Sequence, residues 1–129
     1  MRARADCSSA RECGSTIIED DRDTYGPYRV TTLAYEYLLR TRDGQDVVGY
    51  HWHPAGVSHE TNPHIHLGSA QLADNAVISK RAHFPTGRVT MESVIRLAIS
   101  QLGASPLTDK WNDRLVETEG PHILFRTWR

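Results

Sequence analysis

Long apolar runs are missing from this sequence. No stretch of about 18 hydrophobic residues occurs, so no segment reads as a transmembrane helix and no membrane partner is expected. An excess of one charge is missing too: 15 Lys and Arg stand against 16 Asp and Glu. The diffuse basic field of many nucleic-acid-binding proteins is therefore absent, and only a local basic patch remains open. Cysteine is scarce, with Cys7 and Cys13 alone. The opening MRARADCSSARECGST is basic but has no apolar middle section, so it does not read as a secretory signal peptide. A cytoplasmic protein is expected, and in that compartment a stable Cys7–Cys13 disulfide is not. Cys-x5-Cys also misses the tighter spacing of structural zinc sites. No Gly-x-Ser-x-Gly elbow, P-loop or Rossmann fingerprint occurs.

What is present fits one globular domain. The 129 residues can bury a modest core but hardly two, and 39% hydrophobic with 24% charged residues is ordinary globular usage. Residues 1–24 are polar, lack apolar periodicity and carry Glu19, Asp20, Asp21 and Asp23 close together. They read as a flexible N-terminal arm, the acidic stretch being a solvated tail. Residues 25–129 form the expected single α+β domain.

YRVTTLAYEYLLRTRDGQDVVGYHWH reads as a β-hairpin turning at Asp43-Gly44. With those two residues as the loop, Arg42 pairs with Gln45, Tyr37 with Tyr50, Glu36 with His51, Tyr35 with Trp52 and Ala34 with His53. Alternation gives Leu33, Tyr35, Tyr37, Leu39, Val48, Tyr50 and Trp52 one apolar face. Glu36, His51 and His53 fall on the other. PHIHLG alternates likewise, Ile65 and Leu67 joining the core while His64 and His66 face away. NAVISKRAHFP predicts a fourth strand that turns Arg81 and His83 to the histidine side, with Lys80 breaking the inward pattern.

TGRVTMESVIRLAISQLG predicts the main helix, from an N-cap at Thr90 to Leu102, with Gly103 as its stop. SPLTDKWNDRLVETEG suggests a short second helix and HILFRTW a last strand. The expected fold class is α+β: an antiparallel sheet of four to five strands with the main helix on one face.

Five of the seven histidines lie in GYHWHPAGVSHETNPHIHLGS, residues 49 to 69, four of them as two His-x-His pairs. If the two strands are neighbours, His51, His53, His64 and His66 share one face with Glu36. As a metal site, the four imidazoles could bind Zn, Fe, Ni or Cu, with Glu36 as a ligand or an orienting carboxylate. As a metal-free site, which needs no cofactor and is favoured, two histidines divide the roles of general base and general acid. Glu36 would raise the pKa of His51 or select its tautomer. Lys80, Arg81 and His83 would then hold a phosphate, as RNA cleavage requires. As a plain sheet surface, the face would bind a protein partner or only water. FPTGR offers amides and Arg88 to an anion, although the same residues suffice as a strand-to-helix turn. His59 and His122 read as structural. PHIHLG resembles the start of a histidine-triad nucleotide hydrolase motif, but Gly68 stands where the third histidine belongs.

Over residues 28 to 115 the pattern YEYLLRTRDGQDVVGYHWHP, NPHIHLG, HFPTGRVTMESVIRLAI and DKWNDRL is similar to a group of small actinobacterial proteins. It distantly resembles the TumE-type toxins of bacterial toxin–antitoxin modules. That resemblance implies a toxin-like ribonuclease with an RNA substrate and a cognate antitoxin, and it attaches above all to His64 and His66, then to His51 and His53. A homodimer is compatible with it. The second His-x-His pair and the FPTGRV segment depart from those toxins.

Overall fold

Two strands organise the chain, β3 (Tyr28–Thr41) and β4 (Asp46–Trp52). The computed structural model, which describes residues 5–6, 10–19, 26–55 and 59–125, pairs Tyr35 with Trp52, Glu36 with His51, Tyr37 with Tyr50 and Leu39 with Val48. This is the register expected from the apolar alternation. The turn is different. Arg40 pairs with Asp46, one residue out of frame, and a bulge after Leu39 absorbs the slip, so the Arg42–Gln45 pair does not form. Gly44 N–H donates to the Thr41 carbonyl at 3.0 Å and Thr41 N–H to the Gln45 carbonyl at 2.9 Å. Three residues thus cross the turn, and Gly44 closes it with a φ of 85°, which a Cβ would resist.

β5 (His64–Leu67) pairs with β4, and the two-residue β6 (Phe84–Pro85) pairs with β5. On the far side, β1 (Ala5–Asp6) and β2 (Ala10–Glu19) follow one another along β3. The antiparallel sheet is therefore five strands wide.

Helix α1 (Met91–Leu102) packs on the apolar sheet face, burying Val94 and Ala98 against Tyr35, Leu39, Val48 and Trp52. Its ends form as expected. Thr90 accepts from the Ser93 N–H at 3.1 Å, and Gly103 ends the helix in the left-handed region. Tyr35, fully buried, stacks on Tyr37 with ring centroids 4.8 Å apart, and its hydroxyl accepts from the Val89 N–H. That bond fixes where the chain enters α1. Helix α2 (Trp111–Phe125) packs against α1.

Three expectations need correction. Residues 10–19, expected within a flexible arm, form β2; residues 1–4, 7–9 and 20–25, with Cys7 and the acids from Asp20 onward, lie outside the described residues. Their polar composition hides a strand whose ladder is made by backbone groups on an edge, where side chains need not alternate. NAVISKRAHFP yields only β6. β5 offers only four residues to pair with, and the Ala82 N–H donates to the Ser79 carbonyl in a turn instead of a ladder. Residues 122–125 of the expected last strand continue α2, and 126–129 lie outside the described residues. Gly120-Pro121 read as a stop, yet Pro121 removes a single helical N–H on an exposed turn, where water can serve the carbonyl left behind.

Candidate metal centre

The site is built by the β4–β5 ladder. His51 stands directly opposite His64, and Gly49 directly opposite His66. With side chains alternating, His51, His64 and His66 share the face away from α1, and Glu36 joins them from β3. Gly49 leaves the space into which the His51 ring leans: a Cβ there would lie 2.9 Å from His51 Nε2.

The three rings converge. His51 is 5.6 Å from His64 and 4.9 Å from His66 between ring centroids, and His64 is 5.0 Å from His66. One ligand nitrogen from each lies within 4.8 Å of the other two. Tetrahedral coordination with 2.1 Å bonds needs nitrogens about 3.4 Å apart, so the rings must draw together to close on an ion.

Outer contacts orient the rings. His64 Nδ1 lies 2.7 Å from the Asn62 carbonyl, which can only accept, so Nδ1 carries the proton and Nε2 keeps its lone pair. The His66 ring lies beside the backbone acceptors of Lys80 and Ala82, which favour its protonated form. Glu36 Oε1 lies 3.9 Å from His51 Nε2.

Burial shifts two of the rings toward their neutral form. Burial is the largest influence on His51 and pulls its pKa below the ordinary histidine value; the Glu36 carboxylate opposes this, and His66, His64 and His53 add to it. Glu36 acts on His51 in the expected, raising direction, but desolvation outweighs one partly solvated carboxylate and the net shift is downward. His66 is lowered by burial, then by His83 and His64, against the backbone acceptors at Lys80 and Ala82.

Not every expected residue arrives. His53 lies just past the end of β4, with its ring 6.2 Å from His51, and stays outside the converging group. The ladder explains why: the β4–β5 pairing ends at His51 and His64, leaving His53 no counterpart on β5. His83 does arrive on the histidine side as expected, packing edge-on at 4.8 Å from His64 and 4.4 Å from His66. The face is also less open than expected, since His64 is only 4% exposed. Lys80 lines a cavity of about 420 Å³ with Glu36, Arg40, His51, His66 and Ser69. Arg40, which sequence reasoning passed over, is tied to Asp46 at 2.8 Å. Arg81 is exposed, and its side chain makes no polar contact among the described residues. Arg88 lies on the opposite side of the sheet, its guanidinium 4.0 Å above the Trp52 ring. FPTGR is a plain connector in which the Thr86 and Val89 amides donate to the Pro63 carbonyl and the Tyr35 hydroxyl. His59 is exposed and His122 half-buried in α2.

Comparison with protein-family models, curated proteins and solved structures finds no match to this chain. Among the described residues no helix is long and apolar enough to cross a membrane.

Proposed function

We propose that this chain is a metal-binding protein whose centre is His51, His64 and His66, holding a zinc, iron, nickel or copper ion for hydrolytic chemistry. The observation that carries this is the convergence of three ligand nitrogens within 4.8 Å. The Asn62 carbonyl orienting His64 supports it, because histidine ligands usually give their second nitrogen to such an acceptor. Three imidazoles would leave a coordination position for water, and a zinc ion held there would supply a water of lowered pKa, about 7. Glu36, beside His51, would serve as the nearby proton acceptor, and the cavity with Lys80 and Ser69 gives an anionic or polar substrate room.

A second reading is a metal-independent, toxin-like ribonuclease restrained by a cognate antitoxin, as the resemblance to TumE-type toxins implies. The lowered pKa of His51 and His66 supports it, since a neutral imidazole is a general base at physiological pH. Lys80 would then face the RNA phosphate.

One experiment separates the two. Elemental analysis by mass spectrometry of untagged, natively purified protein should give close to one transition-metal ion per chain. His64→Ala should reduce that to background while the far-ultraviolet circular dichroism is unchanged. Metal-free protein that stays metal-free on titration, and cleaves RNA in the presence of a chelator, would replace the metal reading with the ribonuclease.

A further inference from the structure

We infer that His83 is the fourth ligand of this centre, and the exchangeable one; the inference rests on the metal reading. Its ring lies 4.4 Å from His66 and 4.8 Å from His64. The three converging rings are separated by 4.9 to 5.6 Å, so His83 is as near to His64 and His66 as the three are to one another. It stands outside the group whose nitrogens already converge, and rotation about its side-chain torsions would have to bring it in. An exposed side chain makes such moves readily.

The chain around His83 is fitted to that role. The His66 ring lies beside the backbone acceptors of Lys80 and Ala82, which brings the segment immediately before His83 against the centre. β6 begins at Phe84, so the residue after His83 is held by the sheet at Ile65. Between these two anchors, the His83 backbone has little freedom while its side chain keeps most of its own. His83 is exposed, whereas His64 is buried in the ladder. Of the four rings, His83 is the one that can leave without disturbing a strand.

The consequence is a choice between two kinds of site. Four imidazoles close a tetrahedral centre; three leave a position for water or a substrate oxygen. His83 would close the centre at rest and yield its position when substrate arrives.

The test is to load the untagged full chain with Cu²⁺ and count coordinated imidazoles by pulsed electron paramagnetic resonance, with Zn²⁺ affinity measured against a competing chelator. Wild type should show four imidazole nitrogens and His83→Ala three, with affinity lowered about 10–100-fold, the loss typical of weakened ligand support. Added free imidazole should restore the fourth signal in His83→Ala. His53→Ala should change neither count nor affinity. Equal melting of the metal-free wild type and His83→Ala establishes that the variant is folded. An unchanged count and affinity in His83→Ala overturns the role of His83 and leaves the three-histidine centre standing. A wild type that binds no metal overturns both.

Discussion

Where the His51 ring can sit is decided by a residue that carries no chemistry. Gly49 lies two positions before His51 on the same face, and a Cβ there would come 2.9 Å from Nε2 and 3.4 Å from Leu38 Cδ1. The nearer atom is the end of a side chain, so Gly49→Ala should push the imidazole aside and leave the ladder intact. Metal affinity is expected to fall by about 10–100-fold, as when a ligand loses its orienting support. Stability should hold or rise, since Ala in place of Gly in a strand removes a backbone entropy cost of about 0.5–1 kcal/mol. Chelator competition alongside thermal melting checks both; unchanged affinity would place His51 outside the coordination sphere. Gly68 answers another question at this scale. It occupies the position where a histidine-triad motif has its third histidine, and a Cβ there would overlap the Asp46 carbonyl. The β4–β5 approach therefore admits no side chain at this point, and the departure from that motif has a packing reason.

Between elements, a polar lock joins the two helices. Thr90 and Ser93 hydroxyls donate to Glu119 Oε1 at 2.7 and 3.2 Å, and Arg96 donates to Oε2 at 3.2 Å. The Thr90 hydrogen bond is the chief cause holding the Glu119 carboxyl below its usual pKa, with Arg96 and Ser93 adding to it against burial. A carboxyl lowered on folding stabilises the fold above its unfolded pKa, and that contribution fades as pH falls through the folded value. Glu119→Ala should cost on the order of 2 kcal/mol at pH 7, the scale of hydrogen bonds to a charged group. The gap to wild type should narrow below about pH 4.3, where an ordinary glutamate protonates. Urea melts at pH 7 and pH 3.5 measure it; equal costs at both would show that the lock does not depend on ionisation. The sequence showed only one side of this lock, because Thr90 has an N-cap signature while Glu119 lies in a helix of weak periodicity. The same contrast runs through the fold. Tyr35, Tyr37, Val48 and Trp52 alternate strictly, and their register was legible to the residue. β2 pairs through its backbone on an edge, with Ile17 70% exposed, and left no such pattern. His51, His64 and His66 were legible as neighbours because the two strands share a face. His83 too was legible on the histidine side, although the strand expected to carry it shrinks to β6. That His53 drops out depends on where β4 ends, which residue identities do not fix.

For the molecule as a whole, a metal at this centre would fasten β4 to β5 through residues separated by the 53–63 connection. A ligand that binds only the folded state adds stability by mass action, about 2.7 kcal/mol when the free ion is at 100 times its Kd. For a chain of this length that is a rise in Tm on the order of 10 °C. The rise should depend on pH in a definite direction, because the ligands must be deprotonated to bind. His51 and His66 titrate below the ordinary histidine value, chiefly through burial, so the gain should be complete above about pH 6.5 and shrink as pH falls through their lowered pKa values. Without metal, the same histidines bind fewer protons folded than unfolded over that interval. The metal-free protein should therefore also lose stability as pH drops below about 6.5, and the two effects act together. Differential scanning calorimetry with and without Zn²⁺, at pH 7.5 and about two units lower, reads both at once. A Tm that ignores metal at pH 7.5 would mean that the three imidazoles do not close on an ion. A metal-induced rise of equal size at both pH values would mean that the ion is held by groups other than histidine.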